Sequence, residues 1–365
     1  MTPLDDRPAS GARRAAVVLA LIVVIDSLAL SEVGDDLGLL RWWSGVGLGA
    51  VLLARSPVRW WAGLAALVVA LPLLSAVALG HDLTDTALVG GSHGAQALVA
   101  AAILTGLGGH RAGVETPLAL ALLVLAAAGS GLVAAAVETS VRTEPVTSAT
   151  LVLETGGLHA LSVLVLGAVL LSPRPSWQPP DASWRHVPPL LLLQSVAAAA
   201  VAAAVFVPPM SAPVTFVLIP VLVWGALVYE VRVAALQLLA TTVAVLLATA
   251  SGRGPFASGE VAPALVELVA LGYLASIALV TLPLAVIVTQ RRLLTRRVAS
   301  DERLFRRTFT ESPLGMAILR TAPEGLVVDE ANDAAGRILE MSVDDVSGRL
   351  FDELVGVVDH RTGSF

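Results

Sequence analysis

Stretches of about 20 apolar residues, each long enough to cross a bilayer as a helix, recur along this chain, and that recurrence limits its folds more than any other feature. They run near 15–33, 38–54, 60–80, 87–108, 117–137, 150–172, 188–208, 212–228, 233–250 and 262–289. Composition agrees: 56% of the 365 residues are hydrophobic and 14% are charged, against roughly 45–50% and about 25% in a soluble domain. A water-soluble surface cannot be built from so few charges, whereas a bilayer accepts an apolar exterior. The expectation is an all-α polytopic membrane helix bundle of about ten transmembrane helices.

Arginines in the short connections orient the bundle. With the N-terminus inside, Arg7, Arg13, Arg14, Arg55, Arg59, Arg111, Arg174, Arg185, Arg232 and the cluster from Arg291 all face the cytoplasm. The other side receives Arg142 and Arg253, with Arg41 near a border, and acids in its first loops: Glu32, Asp35, Asp36, Asp82 and Asp85. The expected location is a bacterial plasma (inner) membrane, multi-pass, with both termini cytoplasmic. Arg13 and Arg14 ahead of an apolar run read either as the flank of a first membrane anchor or as a twin-arginine or secretory signal. Trp60 and Trp61 beside Arg59 read as an interfacial anchor, with ligand stacking as the alternative.

The net charge of −6 and the lack of a basic stripe interleaved with aromatics argue against a nucleic-acid partner. With no cysteine, disulfides, thiolate ligands and cysteine nucleophiles are excluded. Scattered histidines offer no metal-ligand spacing, so no metal is implied. Ionisable residues within or near spans are costly and mark candidate sites: Asp26, His93, Glu154, His159 and Glu267. Asp26 and Glu267 read as the best placed at depth, and Glu154 and His159, five apart, do not share a helix face well. Two readings stand for this set: a ligand- or proton-sensing cavity, or hydrogen bonding that holds the helices together. Gly252, Gly254, Pro255 and Phe256 form an exterior turn, read either as a gate or as an ordinary tight connection.

Beyond residue 289 the character changes. The segment 290–310 is Arg-rich, with Leu294, Val298, Phe305 and Phe309 at spacings of four, seven and four. It reads as a signalling helix that pairs with a second copy, giving a homodimer, or as a basic helix lying on anionic lipid. From 311 the pattern is strand (315–319), strand (325–328), a short helix capped near Asn332 or Asp333, and another capped by Ser342 and broken by Gly348. Met316, Ile318, Val327, Ile338 and Leu339 are the expected core there, and His360 a loop residue. The domain plan is thus an N-terminal tail (1–14), a membrane domain (15–289), the helix (290–310) and an α+β end (311–365).

These residues carry two resemblances. Phe309, Ser312, Pro313, Gly315 and Met316, then Asn332 and Ala334, then Gly348 and Arg349, resemble the first half of a PAS domain. The membrane part resembles the first class of membrane-associated sensor (MASE) domain, through Trp43 and the SGVGLGAVLL run, the span with His93 and Gln96, the 220–224 region, and the SGRGPFASG turn. Trp43-Ser44 stands where that family reads Trp-Pro. Together they imply the sensory input half of a bacterial signalling protein responding to a small-molecule stimulus. The implied output is a diguanylate cyclase or cyclic-di-GMP phosphodiesterase, or next a histidine kinase. No catalytic motif of those outputs occurs in these residues, and no cofactor is named by them. The PAS pattern stops at Phe365 before its long helix and three further strands, so a fragment or a truncated gene is expected. A transporter or channel with a regulatory end is the competing class, favoured by Pro220 and Pro283 within spans. An intramembrane enzyme lacks a nucleophile–base motif.

Overall fold

The structure, a computed structural model, describes residues 19–20, 45–79, 83–106, 113–141, 149–173, 188–208, 212–257, 259, 261–262 and 265–354. Asp26 and His360, the first apolar stretch apart from Leu19 and Ala20, and the start of the second lie outside them. The chain divides into two compact units, residues 1–290 and 291–365.

In the first unit the helices are α1 (Gly45–Ala54), α2 (Trp61–Leu79), α3 (Leu83–Gly106), α4 (Pro117–Val141), α5 (Ala149–Leu171), α6 (Pro189–Phe206), α7 (Leu218–Val228) and α8 (Val231–Ala250). Helix α9 (Val266–Glu311) begins in this unit and ends in the next. Among the described residues five helical segments are long and apolar enough to cross a membrane: Pro117–Val137, Val152–Leu171, Pro189–Phe206, Val231–Ala250 and Val266–Glu311. Gly45–Ala54, Val58–Leu71 and Val214–Val228 are shorter apolar helices. The chain is therefore a multi-pass membrane protein of mostly helical build. The eighth expected stretch is short because it opens as a 3-10 turn (Ala212–Val217), and Tyr229 and Glu230 are extended before α8 begins.

Packing follows the chain closely. Helices α4 and α5 meet most extensively, α3 packs on α1, α2 and α4, and α1 also reaches α5. Helices α6, α7 and α8 pack together, and α8 joins this group to α5. Glycines let the backbones meet: a Cβ on Gly131 would collide with the Gly156 carbonyl oxygen, so α4 and α5 touch main chain to main chain. Large side chains such as Leu192, Leu193, Val196 and Leu132 stay exposed, as lipid-facing residues must when both sides of the surface are apolar. Trp60 is half exposed with the Arg59 guanidinium 5.9 Å from its ring centre, and the Trp61 indole donates to the Ser56 carbonyl at 3.1 Å. Amphipathic rings in such a position fit an interfacial anchor.

The second unit holds an antiparallel pair, β1 (Ala317–Ala322) and β2 (Gly325–Ala331), joined by a turn at Pro323 and Glu324. Two short helices follow, α10 (Asp333–Leu339) and α11 (Val343–Val346). Asn332 caps α10 through the Ala335 amide, Ser342 caps α11 through the Asp345 amide, and Gly348 has φ +85°, a left-handed value that suits glycine. The core is Val328, Ala331, Ala335, Val346 and Leu354. The expected core needs correction: Ile338 is 62% exposed, and Val328 rather than Val327 is the fully buried strand residue. A bulge between Ile318 and Leu319 shifts the pairing by one residue, which changes the face presented. An apolar cleft of about 160 Å³ is lined by Ala317, Val328, Ala335, Leu339, Val346, Phe351 and Leu354.

The stalk residues separate. Leu294, Val298 and Phe305 are half to two-thirds exposed, whereas Phe309 is buried with its ring stacked on Phe305 at 5.9 Å. Phe309 therefore leaves the exposed stripe, because the chain turns into the α+β region just beyond it.

Candidate functional site

Polar side chains in an apolar bundle must find partners or remain costly. On α3, His93 and Gln96 are three apart and share a face, and both are buried, at 2% and 0% exposure. On α5 the same spacing places His159 and Ser162, at 5% and 0%. These two faces meet. The imidazoles of His93 and His159 approach with ring centroids 5.4 Å apart and planes inclined by 56°.

Neutral groups surround the pair. The Gln96 amide donates to the Ser92 hydroxyl at 3.1 Å, and the Ser130 hydroxyl of α4 donates to the Gln96 carbonyl oxygen at 3.5 Å. The backbone amide of Gly47, in the first turn of α1, donates to the Ser162 hydroxyl at 3.2 Å. That bond satisfies one of the amides that every helix start leaves unpaired. A Cβ on Gly47 would stand 2.6 Å from the Ser162 carbonyl oxygen, so the approach requires glycine. Within this seam the Nδ1 atom of His159 is buried without a hydrogen-bond partner.

Of the five residues expected from sequence, the four that are described fall at two places. His93 pairs with His159. Glu154 is half-buried on α5 and lies within electrostatic reach of Glu267 in the first turn of α9. Glu267 is exposed in the first turn of α9, which starts at Val266. Asp26 lies outside the described residues. Among the described residues no three His, Cys, Asp or Glu side chains gather as a metal centre would require.

A second polar cluster escaped the sequence reading. Gln194 of α6, fully buried, donates to the Val221 carbonyl of α7 at 3.0 Å and to the Gln237 carbonyl oxygen of α8 at 3.3 Å. Gln237 donates back to Gln194 and to the Ser195 hydroxyl, the latter at 3.2 Å. Gly225 makes the space, since a Cβ there would collide with both amides. The available signal was a lone glutamine in each of two otherwise apolar runs, LLLLQSV and AALQLLA.

The turn at 252–256 closes on the bundle. Phe256 is 4% exposed, and its ring lies 6.0 Å from Phe206 and 5.4 Å from Tyr273, whose hydroxyl donates to the Thr215 carbonyl at 2.8 Å. Gly254, at φ +77°, brings the backbone against Phe206. At the opposite end of α8, the Thr289 hydroxyl accepts the Val231 amide at 2.9 Å.

In the second unit Asn332 gathers four bonds. Its amide donates to the carbonyls of Phe309 and Leu314, each at 2.9 Å, and its oxygen accepts the amides of Met316 at 2.9 Å and Ala335 at 2.8 Å.

The MASE1 family model covers residues 12–292. No curated protein and no solved structure matches the chain.

Proposed function

The chain belongs to the MASE1 family of membrane sensory domains, and on that premise we propose that it is the input half of a bacterial signalling protein, with the His93–His159 seam as its sensing core. The observation that carries the relay is α9. Its first part is buried in the membrane core through Ala270, Leu274, Ile277, Ala278, Leu282 and Val286, and the same helix continues to Glu311. Near that end Asn332 holds the Phe309 carbonyl. A stimulus acts by binding two arrangements of the bundle unequally, and a continuous helix offers it a route out of the bilayer.

In this reading the membrane domain has about ten spans in the plasma membrane, with both termini cytoplasmic, as the arginine distribution supports. The cytoplasmic α+β region is a PAS domain in its first half. Its strand–strand–helix–helix order and the capping roles of Asn332 and Ser342 fit the resembling motif. The exposed Leu294, Val298 and Phe305 serve a homodimer, since apolar residues on a basic helix need a partner to be buried. The output is cyclic-di-GMP synthesis or turnover, with histidine kinase activity second.

The test is a full-length version carrying insertions of one to four residues between Arg297 and Asp301, with output measured under stimulation. A 3.6-residue period in the response is expected. Regulation indifferent to every insertion would remove the helix from the mechanism.

A further inference from the structure

We propose that the stalk of α9 pairs with a second copy of itself as a parallel, in-register coil that meets along Leu294, Val298 and Phe305 and is kept reversible by Asp301. This deepens the homodimer reading above and rests on it. Leu294, Val298 and Phe305 are exposed, and at 100° per residue they lie within about 40° of one another around the helix. Wound to the 3.5-residue repeat of a coiled coil, Leu294 takes a d position while Val298 and Phe305 take a positions. Leu304, exposed at a g position, adds apolar area beside Phe305.

Charge selects the second copy. In the same frame Arg292 and Arg306 fall at b and Arg296 and Arg303 at f, so these arginines lie on the far side from the seam. Arg297 takes a g position and Glu302 the e position that follows, and those two face each other between parallel strands in register. Pairing therefore sets Arg297 of each copy against Glu302 of the other, once on each side of the seam. Within its own helix Glu302 meets Arg306 at 3.4 Å, and Arg306 lies 3.8 Å from Glu330. Both contacts are exposed, so sharing the Glu302 carboxylate with a second guanidinium costs little. Arg291, at an a position, opposes its own copy, which makes Leu294 the first apolar layer.

An anionic bilayer surface fits this helix less well. A helix lying in such a surface carries basic residues beside its apolar face. Here Asp301 and Glu302 border the apolar stripe, one on each side, and the arginines at b and f lie beyond them. Anionic headgroups would meet the carboxylates first.

Asp301 takes the d position between the Val298 and Phe305 layers, where parallel pairing sets it against Asp301 of the second copy. Two carboxylates so placed repel each other. Thr308 puts another polar side chain at the next d position. The apolar layers at Leu294, Val298 and Phe305 also fall short of the roughly three to four heptads that mark a sustained coiled coil. Pairing is therefore conditional. It forms when the two helices are brought together and parts when they are drawn apart, which is the two-state behaviour a relay through α9 requires.

The chain contains no cysteine, so an introduced thiol is the only one present. The test uses the full chain in vesicles of phosphatidylcholine and phosphatidylglycerol, with one substitution at a time. Leu294→Cys, Val298→Cys, Asp301→Cys and Phe305→Cys sample the seam, and Arg296→Cys and Arg303→Cys the opposite face. Oxidative cross-linking is expected to run about tenfold faster at every seam position than at the other two. Circular dichroism checks folding; should Phe305→Cys fail, the other seam positions carry the pattern. In the Val298→Cys background, Arg297→Glu should slow cross-linking and Arg297→Glu/Glu302→Arg should restore it. Asp301→Leu should quicken it several-fold, and no gain would remove the role given to Asp301. Equal rates on both faces, or a fast reaction at one seam position alone as in antiparallel helices, would overturn the pairing. So would seam thiols that phosphatidylglycerol, and not phosphatidylcholine alone, shields from a water-soluble maleimide. A dimer by sedimentation whose seam thiols fail to cross-link removes the register and leaves the homodimer; a monomer removes both. Seam cross-links with insertion-insensitive output keep the coil and remove the relay.

Discussion

Gln194 and Gln237 use their amides on one another, on Ser195 and on the Val221 carbonyl, so that a polar knot joining α6, α7 and α8 closes upon itself. His93 and His159 are buried between α3 and α5, and Nδ1 of His159 ends without a partner. The difference is chemical. An amide carries donor and acceptor together and can satisfy a second amide, whereas a neutral imidazole has one of each at fixed ring positions. A closed knot serves as structural glue, and an open one has capacity left for a ligand.

That contrast can be broken or sharpened by substitution. Outside the bilayer, Asn332→Ala sets the scale for a fully satisfied amide: it leaves four backbone groups without partners, and a loss of about 3 kcal/mol is expected. Hydrogen exchange at the Met316 and Ala335 amides should speed up, and unchanged protection would show that those bonds are dispensable.

Within the membrane Gly225→Ala comes next. Its methyl collides with both glutamine amides, and overpacking of this kind costs about 1–3 kcal/mol. Thermal melting in detergent should fall accordingly; no change would mean that the knot has room to spare. Gln237→Leu is smaller, about 1 kcal/mol, and a double-mutant cycle with Gln194→Leu should return a coupling of roughly 0.6–1.7 kcal/mol.

His159→Leu should cost least, within about 0.5 kcal/mol or even a gain, because it replaces a polar group whose Nδ1 is unpartnered by an apolar one. A loss larger than that of Gln237→Leu would erase the distinction between the two clusters. The imidazole seam would then be glue as well.

Much of the fold was legible because bilayer physics acts on short windows of sequence. The helices α2 to α6 and α8 fall where apolar runs predicted them, and Asn332, Ser342 and Gly348 act at the positions their chemistry favours. The site was less legible. His93 and His159 were both singled out, but 66 residues separate them (159 − 93), and no periodicity links one helix to another at that range. Gln194 and Gln237 were passed over because a neutral amide gives no charge signal.

By itself the sequence determined that the chain lies in a membrane, where most of its helices run and which residues cap the small C-terminal elements. These follow from local transfer free energies and hydrogen-bond valence, which need no knowledge of neighbours. Only the tertiary structure decided that His93 faces His159 while Gln194 faces Gln237. Close glycine contacts, Gly131 on Gly156 and Gly47 on Ser162, fix which helix faces meet, and such contacts exist only once the chain has packed.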